Sequence, residues 1–68
     1  MKFIEVDSSN IQGVAYEEND LLVRFKNNAV YRYKDVPLSV YQELLDAESK
    51  GKYFAQNIKN SYTASKEE

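Results

Sequence analysis

Apolar and polar residues alternate with period two between Ile11 and Tyr33, and the alternation breaks twice, at residues 17–20 and 26–28. Three β-strands joined by two hairpin turns follow from that pattern. The length of the second turn decides which side chains share a face, because a one-residue slip sends every side chain to the other side of the sheet. A two-residue loop at 27–28 would pair Arg24 with Tyr31 and Val23 with Arg32, mixing charge into the apolar face. A three-residue loop at 26–28 instead pairs Phe25 with Ala29, Val23 with Tyr31 and Leu21 with Tyr33. The longer loop is therefore expected, with Asn28 in the left-handed conformation that Asn tolerates better than any residue but Gly. A four-residue first loop, 17–20, pairs Tyr16 with Leu21 and Val14 with Val23. The inner face then carries Val14, Tyr16, Leu21, Val23, Phe25, Tyr31 and Tyr33. Residues 3–6 are long enough for a fourth short strand but too few to fix its partner.

After Asp35 the period turns helical. Pro37 suits a helix start, and Val40, Tyr41, Leu44 and Leu45 follow on one stripe. Ser49 is placed to cap a second helix, in which Phe54, Ile58 and Tyr62 lie four apart. The expected fold is α+β: an antiparallel meander of three strands, or four with residues 3–6, followed by two short helices packed on one face. Residues 63–68 are small and polar and read as a disordered tail, leaving 1–62 as the domain.

Composition narrows the chemistry. At 68 residues the chain can bury only one core, which 43% hydrophobic residues and nine aromatic rings are sufficient to fill without a disulfide. With no histidine, no cysteine and no base near its serines, the sequence offers no catalytic set, so no enzyme activity and no cofactor are expected. The acids Glu17, Glu18 and Asp20 lack the alternating oxygen ligands of a calcium loop, so no metal is expected either. No stretch reaches the roughly 20 apolar residues that span a bilayer, and the start lacks the apolar run of a signal peptide. A cytoplasmic protein without membrane contact or small-molecule substrate is the expectation.

The net charge of −2 argues against general attraction to nucleic acid, yet four of the nine basic residues fall on the second hairpin. The predicted register sets Arg24, Lys26, Arg32 and Lys34 on its outer face, with no acid between positions 21 and 34. That is the candidate phosphate-binding surface, with Lys50, Lys52 and Lys59 as further cations. The same pattern also describes a solvated sheet face. Tyr31 and Tyr33 are expected to point inward, as structural residues rather than stacking platforms.

The run Phe25, Lys26, Asn27, Asn28, Ala29, Val30, Tyr31, Arg32 and Tyr33, then Val36-Pro37, then Ala47, Ser49 and Gly51 ahead of Tyr53-Phe54, resembles the KTSC domain family. That domain occurs at the C-terminus of some lysyl-tRNA synthetases and as short stand-alone bacterial and phage-related proteins. The resemblance runs from Val6-Asp7-Ser8-Ser9 to Tyr62, and its most recognisable element is the Tyr-x-Tyr of Tyr31 and Tyr33. Asn28 stands where the family often has Gly, and Thr63 where Pro often follows the last aromatic. The resemblance implies a domain of unknown function for which attachment to a tRNA ligase suggests RNA binding. The partner expected is therefore RNA or other single-stranded nucleic acid, with a protein partner as the alternative.

Overall fold

The computed structural model describes residues 3–6 and 8–67; Met1, Lys2, Asp7 and Glu68 lie outside the described residues. Five antiparallel strands form one sheet in chain order, and two helices close over one face. The strands are β1 (Ile4–Glu5), β2 (Ile11–Glu17), β3 (Asp20–Phe25), β4 (Val30–Tyr33) and β5 (Ala64–Glu67), and the helices α1 (Leu38–Asp46) and α2 (Lys50–Asn57) lie between β4 and β5.

The second hairpin has the three-residue loop that apolar pairing requires. Phe25 N donates to Ala29 O at 2.8 Å, Asn28 takes φ 71°, and the ladder pairs Val23 with Tyr31 and Leu21 with Tyr33. The Asn27 side chain braces the turn by accepting from Ala29 N at 3.0 Å. In the first hairpin the expected partners Tyr16–Leu21 and Val14–Val23 are present, but the loop is shorter than expected. Glu17 and Asp20 form a further pair, leaving only Glu18 and Asn19 to turn the chain, both at positive φ (51° and 69°). Positive φ at both central residues marks the type I′ turn, whose twist matches that of the strands it joins.

A bulge at Gln12 explains a core residue that alternation alone misses. Ile11 pairs with Phe25 while Gly13 pairs with Arg24, so one extra residue on β2 lets both Ile11 and Val14 face the helices. Both are fully buried. Residues 3–6 supply β1, which pairs with β2 through Ile4–Val14 and Glu5–Gly13. Gly13 permits that approach: a Cβ there would lie 3.2 Å from Ile4 O and 3.4 Å from Phe3 Cβ.

The sheet thus has five strands rather than three or four, and the fifth comes from the stretch expected to be a disordered tail. Ala64–Glu67 pairs with β4 from Tyr33–Ala64 to Val30–Glu67, and Lys34 N donates to Thr63 O at 2.9 Å. No side chain of β5 is buried, so the strand carries none of the apolar alternation by which strands are recognised. Backbone pairing and one ion pair, described below, hold it.

The core between sheet and helices is built on Ile11, Val14, Leu21, Val23, Leu44 and Ile58, with Val36, Tyr33 and Phe54 completing it. Pro37 stands at the N-cap of α1, one place before the first helical residue, and Ser49 at that of α2; neither caps with its side chain. Tyr41 of α1 stacks on Tyr16 at 5.1 Å, and the Tyr16 hydroxyl donates to the Val36 carbonyl. Phe54 of α2 meets Phe25 (5.6 Å) and Tyr33 (5.4 Å) edge-on, the favoured geometry for aromatic pairs. The Tyr53 hydroxyl donates to Glu43 at 2.7 Å, tying α2 to α1 and pushing the tyrosine's pKa up to about 12.

Replacing Phe54 with Ala removes the ring that joins α2 to both strands of the second hairpin. A loss of about 3–5 kcal/mol is expected, seen as a fall in Tm of more than about 10 °C. An unchanged melting curve would show that this ring does not anchor the helix.

Candidate functional site

The structure divides the four basic residues of the second hairpin among different surroundings. Arg24 and Arg32 project from the face away from the helices, where Ala15 and Leu22, both outside the main core cluster, are nevertheless buried. The Arg24 guanidinium lies 4.4 Å from the centroid of the Phe3 ring, a cation–π contact. Arg32 is surrounded by carboxylates. Its Nη1 donates to Asp20 Oδ2 at 3.0 Å, its Nε donates to Glu67 Oε2 at 3.3 Å, and Nη2 lies 3.6 Å from Glu17 Oε1. To reach Glu17 on β2 from β4, the side chain must cross β3 beside Leu22. Its stem then shields apolar surface while its head binds acids from β2, β3 and β5.

The linear sequence shows no acid from 21 to 34, but the fold brings three to Arg32 from positions 17, 20 and 67. Arg32 is therefore neutralised in place and only 20% exposed at its side chain. The hydrogen bond from Arg32, aided by a backbone N–H donated by Asp35, holds the Asp20 carboxyl below its ordinary range despite partial desolvation. The same acids keep Arg32 firmly protonated. Glu17 Oε1 is shielded from solvent yet too far from Arg32 for a hydrogen bond, so charge alone engages it. Lys34, exposed just past β4, and Lys26, exposed in the hairpin turn, make no ion pair among the described residues.

Lys26 instead borders a different feature. A groove of about 560 Å³ opens between the second hairpin and α2. Phe25 and Tyr31 form its half-buried walls, and Tyr33 and Phe54, each 5% exposed, its floor. Phe25 and Tyr31 meet edge-on at 5.8 Å. Ser9, Asn10 and Asn27 add polar groups at the margin, and the exposed lysines Lys26 and Lys59 stand at the rim with no carboxylate in the lining among the described residues. Tyr31 and Tyr33 do turn inward as expected, but the helix does not cover Tyr31 completely. An inward-pointing ring here still borders open space.

Alternation identifies the face of Tyr31 and Tyr33 but not how closely α2 approaches them. Lys59 joins the groove only because the chain turns after α2, where Ile58 N and Lys59 N both donate to Phe54 O at 2.9 Å. Among the described residues no group of three or more acids, histidines or cysteines is placed to hold a metal ion. Among them, too, no helix is long and apolar enough to cross a membrane.

Comparison with known proteins agrees with this architecture. The model of the KTSC domain family matches residues 7–62. A protein of Stutzerimonas stutzeri is 41% identical over 61 residues, covering 87% of this chain and 86% of its own. A lysine–tRNA ligase of Trichormus variabilis is 38% identical over 61 residues, and the match spans 87% of this chain but 11% of the ligase. The crystal structure of a KTSC domain protein from Yersinia pestis superposes with a TM-score of 0.94 at 30% identity, covering 98% of this chain and 97% of that one.

The Arg32 cluster makes a distinct prediction about acid stability. Because the folded state lowers the pKa of Asp20, its contribution is fully present above the ordinary value of 3.8 and is lost as pH falls through the lower folded value. Asp20→Asn should therefore be less stable than the parent at neutral pH, with the gap narrowing below pH 3.8. Urea melts across the acid range measure this; a gap independent of pH would mean that the Asp20 charge contributes nothing.

Proposed function

Since the chain belongs to the KTSC domain family, whose model covers most of its length, we propose that it is a non-catalytic module that binds single-stranded nucleic acid, RNA by preference, in the groove between the second hairpin and α2. The observation that carries this reading is an aromatic-walled groove whose charged lining residues, among those described, are Lys26 and Lys59. Unpaired bases stack on half-exposed rings such as Phe25 and Tyr31 with little regard to sequence, and lysines at the rim neutralise the phosphates that follow. The sequence-based surface of Arg24, Lys26, Arg32 and Lys34 contributes less here, because Arg32 is already matched by its own acids. Of those four residues, Lys26 is the one that borders the groove. The preference for RNA is drawn from the kinship with lysine–tRNA ligases.

An acidic protein gains no long-range attraction to a polyanion, so binding should be local and dependent on salt. A protein-interaction module is the second reading, favoured by one observation: β1, paired with β2 at Ile4 and Glu5, lies at an edge of the sheet, and Ile4 is 49% exposed there. A strand-adding partner could extend the sheet there.

Titration of the protein with mixed single-stranded RNAs and DNAs, followed by amide NMR at low and physiological salt, separates these readings. Shifts should cluster at Phe25, Lys26, Tyr31 and Lys59. Tyr31→Ala should weaken binding by about 1–3 kcal/mol, the scale of one stacked base. Lys26→Glu with Lys59→Glu should flatten the slope of log K against log salt by about 1.4, the share of two phosphate contacts on a single strand. Shifts confined to Arg24, Arg32 and Lys34 would move the site to the outer face. No shift at any salt would leave the sheet edge as the working surface.

A further inference from the structure

A second cavity of about 390 Å³ lies beside the aromatic groove, between the loop at residues 8–10 and the first turns of α2. The two share Ser9, Asn10, Gly51 and Ala55, so they meet over a saddle of small side chains. Their chemistry differs sharply. The first is walled by aromatic rings, whereas among the described residues the second has none and is lined by Ser8, Ser49, Lys50 and Lys52 with the single acid Glu48.

From this division, and resting on the groove reading above, we infer that the two cavities form one track for a single strand of at least two nucleotides. One base lies in the aromatic compartment, and the sugar-phosphate chain crosses the saddle into the polar one. Among the described residues the combined lining holds four lysines and one carboxylate, in a protein that is acidic on average. That local excess is the charge complement of a strand carrying a phosphate at each step.

The polar compartment also has donors to spare. Ser8 Oγ accepts from Asn10 N and Ile11 N, both at 3.3 Å, which fixes the loop and leaves the hydroxyl proton available to an acceptor. Lys50 donates one N–H to Ala47 O at 2.9 Å and keeps two more, while Lys52 is exposed. Gly51 sets the depth of the saddle, since a Cβ there would come within 3.1 Å of Ser8 Oγ. Any larger residue would crowd the loop against the helix just where the strand must cross.

The test is a length series in RNA of one base, from mononucleotide to tetranucleotide, followed by amide NMR on the full chain and on Lys52→Glu. The mononucleotide should shift Phe25, Lys26, Tyr31 and Lys59 and leave Ser8, Lys50 and Lys52 unmoved. The dinucleotide should add shifts at Ser8, Lys50 and Lys52, which line the second cavity and not the first, and bind about ten-fold more tightly, the scale of one more neutralised phosphate with its hydrogen bonds. Lys52→Glu should abolish that gain and leave mononucleotide binding unchanged. Equal affinity for mono- and dinucleotide, or equal weakening of both by Lys52→Glu, would overturn the two-compartment track while leaving the aromatic groove as a base site. Absence of binding at every length would overturn both.

Discussion

Phe54 touches two strands of the sheet at once, edge-on to Phe25 from β3 and to Tyr33 from β4, and that double contact fixes where α2 lies on the inner face. Edge-on rings cannot close to the distance of flat-packed aliphatic side chains, since their centroids sit 5.4 and 5.6 Å away. The helix is therefore seated firmly at Tyr33 and stands off from Tyr31, one pleat further along β4. The groove and the core have the same origin: the ring that seals one opens the other.

The opposite face of the sheet is organised by charge instead of aromatic packing. Arg32 draws acids from β2, β3 and β5 to one guanidinium, spanning four strands from its own position on β4. Such a planar, permanently charged group is suited to several carboxylates at once, and a lysine here would lose the fork. The cluster consumes the charge that looked most available for a ligand. Lys26 at the hairpin turn and Lys59 after α2 make no ion pair among the described residues, and both stand at the groove.

Much of the fold could be read from particular residues. Asn28 and the spacing around it determined the second hairpin and its register, because a shorter loop would have put Arg32 opposite Val23. The helices followed from the stripe through Leu44 and from Phe54, but α2 ends at Asn57, so Ile58 caps it and Tyr62, expected on the same stripe, lies in the turn beyond. The Gln12 bulge was hidden, since alternation assumes an unbroken ladder and so leaves Ile11 off the inner face. The candidate site was less legible, for a physical reason in each case. The acids facing Arg32 lie 12, 15 and 35 positions away, and the width of the groove depends on how two aromatic rings meet across elements.

The last strand has a different kind of identity from the others. The family pattern ends at Tyr62, whereas β5 begins two residues later, and the related Yersinia pestis structure superposes on 98% of the chain. A strand held by its main chain, with every side chain outside the core, accepts almost any sequence that avoids proline. Apart from Glu67, whose carboxylate meets Arg32, its side chains make little demand on sequence, so the letters can drift while the ladder stays. An element of this kind is inherited as shape rather than as text, and among distant relatives it would be found by superposition long after alignment had lost it.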